Sequence, residues 1–185
     1  MVGSRKRRDN NLIDAIEAIE PVEFSGSVWR VVGSGKNPVQ CSRSGGRWDD
    51  GTFDVLYTSE KRKGAIEEMR FHLLRGQPVI PSQVRYRLFE IELALDRSLN
   101  LLDIKALAAI GLDTSRFGQL SYQERKAEYP RSQDIGEVAQ FLDFDGLVVP
   151  NARYKCCNVV AFCELVKPSS LAVASDHGEI DWAQS

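Results

Sequence analysis

The sequence predicts an α+β domain with a mixed β-sheet core and helices around it. Three observations point that way. Apolar residues alternate on a two-residue period in short segments, such as 53–57 and 89–95. Elsewhere they recur at helical spacing, as over 65–73, and breaks rich in glycine and proline separate the two kinds. The chain has 185 residues, 43% of them hydrophobic and 27% charged, enough for one core without covalent staples.

Residues 1–8 carry a basic cluster, SRKRR, which reads as a solvated terminus. Leu12, Ile13, Ala15, Ile16 and Ile19 follow a helical stripe that stops before Pro21. This helix either packs on the domain or serves an oligomer contact such as a homodimer; the pattern leaves both open. Residues 27–32 read as a strand, with Val28, Arg30 and Val32 on one face and Trp29 and Val31 on the other. An arginine amid apolar neighbours needs a partner. That partner is a carboxylate, water at a sheet edge, or a phosphate facing the planar fork of donors. Residues 33–46 form a glycine- and serine-rich loop whose GSGK lacks the spacing of a nucleoside-triphosphate loop.

Gly45 and Gly46 free the backbone to adopt positive φ or approach a ligand, and Arg47 and Trp48 follow them. Phe53, Val55 and Tyr57 share one strand face. Ser59 is placed to cap a helix that Gly76 ends. Ala65, Ile66, Met69 and Leu73 make its apolar stripe. Glu68 shares a polar face with His72 and Arg75, while Glu67 falls between Phe71 and Leu74. Glu68 therefore faces either water or a polar cleft.

Residues 78–81 form a turn, and Phe89, Ile91, Leu93 and Leu95 then alternate with solvated Glu90 and Glu92. Residues 101–110 form a short helix closed by Gly111, and 113–128 are polar and indistinct. A helix opens at Ser132 and turns Ile135, Val138, Ala139 and Leu142 inward. Strands follow at 147–149 and 159–166. A net charge of −2 gives no electrostatic case for direct nucleic-acid binding. No apolar run is long enough to span a membrane, and none near the start suits a secretion signal. Four cysteines without CxxC spacing do not support a zinc site; free thiols in a reducing cytoplasm are expected.

The run GGRW, then LYTSE, then Ala65 three residues before Glu68, resembles the RES domain family. The Trp-Arg-Val setting of Arg30 fits it too, as do YPxxQ from Tyr129, FDGLVVPNAR from Phe144, and NVVAF from Asn158. The resemblance spans residues 27–167, flanked by an extension over 1–26 and a tail over 168–185. It implies an ADP-ribosyltransferase-like fold and a toxin that consumes NAD⁺ as substrate, with no separate cofactor. ADP-ribose would pass to phosphate, water or a protein, and an Xre-type helix-turn-helix antitoxin would block the cleft.

Breaking the nicotinamide–ribose bond requires no acid, because nicotinamide leaves neutral from a cationic pyridinium. It requires stabilisation of an oxocarbenium-like sugar, the demand that carboxylates meet in glycoside hydrolysis. The resemblance assigns that role to Glu68, pyrophosphate binding to Arg30 and Arg47, and the nicotinamide ring or its ribose to Tyr57. Asn151 stands where the family has serine after Val-Pro, and would help position phosphate or ribose. The chain is also one residue shorter than the family after GGRW, continuing Asp49-Asp50-Gly51 where Asn-Pro is common. A non-catalytic binding module that keeps the fold but has lost turnover is the alternative.

Overall fold

The structure is a computed structural model describing residues 7–78, 85–127 and 129–183. Most of the basic N-terminal cluster and of the turn expected at 78–81 lies outside these residues. Two half-sheets form the frame. In the first, β1 (Val22–Gly33) runs antiparallel to β3 (Tyr86–Asn100) from Val22↔Ser98 to Gly33↔Tyr86. On the other side of β3 lies antiparallel β6 (Leu171–Glu179), so the tail after Lys167 belongs to the sheet. In the second, β5 (Cys157–Phe162) sits between β2 (Val55–Ser59) and β4 (Gly146–Pro150), antiparallel to both.

The halves meet twice. The end of β3 pairs in parallel with β4 over Ser98–Asn100, whereas β1 touches β2 only at Trp29↔Ser59. The pairings therefore close into a ring, with a single weak joint between β1 and β2. Val28 and Val32 of β1 pack with Leu56, Ile91, Val148 and Val159 in a core shared by both halves. The alternation read in Phe89, Ile91, Leu93 and Leu95 holds, since all four are buried. Glu90 and Glu92 instead meet His177 and Ser27 on the opposite side.

A second core lies beneath α1 (Asn10–Glu17), α3 (Ile104–Ala109) and α4 (Tyr129–Phe141). Leu12 and Ile16 are fully buried in it, so the N-terminal helix packs on its own domain. Phe53, Val55 and Tyr57 face the same core, as their period predicts. Helix α2 (Arg62–Leu74) lays Ala65, Ile66 and Met69 against Val31 and Leu88. It ends on two left-handed residues, Arg75 and Gly76.

Gly136 of α4 lets that helix rest on the backbone that follows Gly46. A Cβ there would run into the Trp48 carbonyl. Gly136→Ala is expected to destabilise the fold by about 1–3 kcal/mol, the range for overpacking a rigid contact. Urea unfolding measures this; an unchanged midpoint would show that helix and loop can separate.

Three expectations change. Ser59 does not cap α2: it closes β2, and the cap position falls to Lys61, which makes no side-chain cap bond. The strand expected over 159–166 stops at Phe162, where Leu165 and Val166 both bond back to its carbonyl. Nor are all four cysteines free. Cys41 and Cys163 form a disulfide across a sequence separation of 122, their Cα atoms 6.5 Å apart. The loop after β1 folds back over the end of β5 and brings them together, a contact that cysteine spacing cannot reveal. Cys156 and Cys157 remain free. Among the described residues, no helix is long and apolar enough to cross a membrane.

Candidate active site

Where β1 and β2 part, a cleft of about 590 Å³ opens. Its walls come from β1, the Gly45–Gly46 loop, β2, α2, the segment around Arg125 and the turn after β4. Arg30, Arg47, Tyr57 and Glu68 all line it, so the fold gathers four of the five residues singled out by sequence. Asn151 does not line it; it lies behind the wall.

The glycine loop is shaped by Asp49, which is fully buried. Its carboxylate accepts from the amides of Gly45 (2.7 Å), Gly46 (2.8 Å) and Gly51 (3.2 Å), and from the Ser44 hydroxyl. Tyr57 Oη donates to Asp49 Oδ2 at 2.8 Å and accepts from the Trp48 amide at 2.9 Å. Burial, with the Asp49 charge adding to it, holds the Tyr57 phenol well above its ordinary pKa. The hydroxyl thus fastens the loop, leaving the ring as the part of Tyr57 that borders the cleft. A Cβ at Gly46 would come within 2.7 Å of that hydroxyl, so the close approach requires glycine. Gln133 Nε2 secures the Gly46 carbonyl from α4 at 2.8 Å. Arg47 projects from the loop over the Phe117 and Tyr129 rings.

Arg30 meets backbone carbonyls, a partner that the sequence did not suggest. Nη1 donates to the carbonyls of Pro38 (2.6 Å) and Gln40 (3.0 Å) and so holds the loop after β1. No hydrogen bond from Nε or Nη2 occurs among the described residues. Burial lowers its pKa to about 10, which leaves it charged at neutral pH.

Glu68 is the only carboxylate among the described lining residues; Arg30, Arg47, Arg125, Lys126 and Arg153 line the same cleft. Its Oε1 accepts from the Ala152 amide at 3.2 Å and from Asn158 Nδ2 at 3.4 Å. Burial raises its pKa, while Arg153 and Arg47 pull the other way. His72, one turn on, packs edge-on against Phe71 and Tyr122 and does not pair with Glu68. Desolvation and the charges of Arg125, Arg153, Arg47 and Arg75 lower its pKa to about 4, so it is neutral at physiological pH.

Arg125, Arg153 and Asn158 were not distinguished by sequence. Arg125 lies in the stretch that lacks periodicity and stacks on Tyr122 at 3.5 Å. Arg153 stacks on Phe71 at 3.4 Å and donates to the carbonyls of Gly118 and Leu120. The signal for Asn158 was visible: it is the one polar amide in the otherwise apolar run of β5.

The sequence profile of the RES domain matches residues 27–183. The chain belongs to the RES domain family. Among curated relatives of this RES protein are the NAD(+) phosphorylases MbcT of Mycobacterium bovis and Mycobacterium tuberculosis. Each is 24% identical over 169 residues, covering 88% of this chain and 87% of the relative. The fold matches that in the crystal structure of the M. tuberculosis MbcT–MbcA toxin–antitoxin complex, with a TM-score of 0.78 and 21% identity over 95% of each chain.

Proposed function

We propose that this RES protein is a toxin that cleaves NAD⁺ at the nicotinamide–ribose bond, with inorganic phosphate as the favoured acceptor. One observation carries the reading: among the described residues that line a cleft sized for a nucleotide, Glu68 is the one carboxylate and stands among cations. The likeness to NAD(+) phosphorylases supports it. Glu68 would stabilise the positive charge that develops on the sugar. Arg47, and Arg30 through Nε and Nη2, would hold the pyrophosphate, with the Tyr57 ring beside the nicotinamide ribose. Asn151 acts from behind the wall, not as a contact to phosphate or ribose.

The C–N bond breaks with its electron pair on nitrogen, and neutral nicotinamide leaves. A phosphate oxygen bonds to the anomeric carbon and loses its proton to solvent. The surplus of cations over carboxylates among the described lining residues suits two anionic groups bound together, which favours phosphate over water as acceptor. The site would act in the cytoplasm, where NAD⁺ is abundant. An antitoxin covering the cleft, of the Xre helix-turn-helix type, would neutralise it; the structural neighbour's toxin–antitoxin complex supports an antitoxin partner, and the Xre type and the covered cleft are part of the proposal. The RES unit is taken as residues 27–183, with the helix Asn10–Glu17 packed against it and β1 beginning upstream of it at Val22.

Phosphorus NMR of NAD⁺ incubated with the purified protein tests the acceptor. With phosphate present, a new phosphomonoester resonance should grow as NAD⁺ is lost, and omitting phosphate should slow that loss. Equal rates with and without phosphate, giving free ADP-ribose, would make water the acceptor.

A further inference from the structure

Asn151 has no capacity left for a ligand. A side-chain amide offers two donor hydrogens and two acceptor positions. Nδ2 of Asn151 donates to Asn158 Oδ1 at 2.7 Å and to Ser59 Oγ at 3.2 Å. Its Oδ1 accepts from the amides of Arg153 (2.7 Å) and Tyr154 (2.9 Å), which caps the turn between β4 and β5. The residue is buried at 8% exposure, and Asn151 N to Cys156 O closes the same turn at 3.0 Å.

Both hydrogen bonds received by Glu68 originate in this arrangement. Because Asn158 Oδ1 accepts from Asn151, its Nδ2 is directed at Glu68 Oε1; the reverse amide orientation would oppose two donors. The turn that Asn151 caps aims the Ala152 amide at the same oxygen. Asn158 itself sits in the middle of the second half-sheet, opposite Val149 on one side and Ser59 on the other. Among the described residues, Glu68 Oε2 receives no hydrogen bond.

We infer that Asn151 and Asn158 are positioning residues: they pin Glu68 through Oε1 and leave Oε2 to meet the cationic sugar. This rests on the NAD⁺-cleaving reading above. A glutamate on a helix has three rotatable bonds, and orienting it in advance removes that freedom from the barrier. Serine at position 151 would still cap the turn but is too short to reach Asn158. The charged and titratable groups around Glu68 are Arg153 on the turn, Arg47 on the glycine loop and His72 on its own helix. Arg30, Arg125, Lys126, Tyr57 and Tyr129 are the others among the described residues that line the cleft. His72, its pKa lowered to about 4, is the described neighbour that gains charge as pH falls into the carboxylate range.

Two measurements on the full chain test this. The first is kcat, KM for NAD⁺ and the pH profile of kcat for wild type, Asn158→Leu, Asn158→Asp and Asn151→Ser. Asn158→Leu should lower kcat about tenfold, as expected for losing a hydrogen bond to a charged group, with KM within about twofold. Its acid limb should move to higher pH, since the lost donor favoured the ionised form. Asn158→Asp keeps the bond to Asn151 but turns an oxygen towards Glu68, so its limb should move further. Asn151→Ser should fall between wild type and Asn158→Leu. Wild-type kcat and acid limb in both folded Asn158 variants would overturn the inference.

The second measurement is a carbon-13 carboxyl titration of Glu68 in wild type and Asn158→Asp, which needs no turnover. A higher Glu68 pKa in the variant supports the relay even if wild type cleaves no NAD⁺, an outcome that would sink only the functional reading. An unchanged pKa overturns the relay whatever the activity.

Discussion

Glu68→Gln is expected to lower kcat for NAD⁺ cleavage by about 10²–10³-fold, the size of effect for losing a preorganised charge at the reacting centre. It should also raise thermal stability at neutral pH. The substitution keeps the shape of the side chain, and the glutamine oxygen can still accept from Ala152 and Asn158. What it removes is a negative charge whose pKa is raised in the folded protein. A carboxyl with a raised folded pKa binds protons more readily in the native state than in the unfolded one. Stability from this group is therefore greatest below the unfolded pKa and falls as pH rises through the folded one. Above that window the ionised Glu68 opposes folding, and Glu68→Gln relieves it. The gain should vanish as pH is lowered through the ordinary glutamate range. Glu67 is the control: it pairs with Arg70 on the same helix at 3.7 Å and does not line the cleft. Glu67→Gln should leave turnover per folded molecule near wild type. Equal losses of turnover from the two changes would remove Glu68 from the chemistry.

Asp49→Asn is expected to cost about 3 kcal/mol of stability and to raise KM for NAD⁺. Asp49 receives three backbone amides and two hydroxyls, with no solvent contact to replace them. An asparagine of the same size turns an NH₂ towards donors, so part of this set is lost and two donors face each other. The Gly45–Gly46 backbone then loosens, and Arg47, which projects from it, loses its fixed position. Tyr57 loses the acceptor for its hydroxyl at the same time. Urea denaturation and initial rates read the two effects. A variant within 0.5 kcal/mol of wild type would show that the loop holds its shape without the carboxylate.

Much of this was legible in the sequence because periodicity is local. The shared face of Phe53, Val55 and Tyr57, the α2 stripe and the separation of Glu68 from Glu67 follow from repeats of two and of 3.6 residues. The position of Asp49 was visible only as a departure from Asn-Pro in the family; its role depends on where Tyr57 folds to. Non-local pairings left no mark. The weak joint between β1 and β2 opens the cleft, yet rests on one pair far apart in sequence. The Cys41–Cys163 disulfide is equally long-range. Arg30 read as needing a partner, but backbone carbonyls carry no signature of residue type. Residues 113–127 were indistinct because they contribute single residues, Phe117, Leu120 and Arg125, and no repeating face.

Nicotinamide release and NAD⁺ binding, measured on one preparation of the purified protein in phosphate buffer, test the central claim most directly. Chromatography should show free nicotinamide appearing in step with NAD⁺ loss, and the same experiment with Glu68→Gln should show binding without release. Wild-type protein that binds NAD⁺ but releases no nicotinamide over hours would contradict the enzyme reading and leave a binding module in its place.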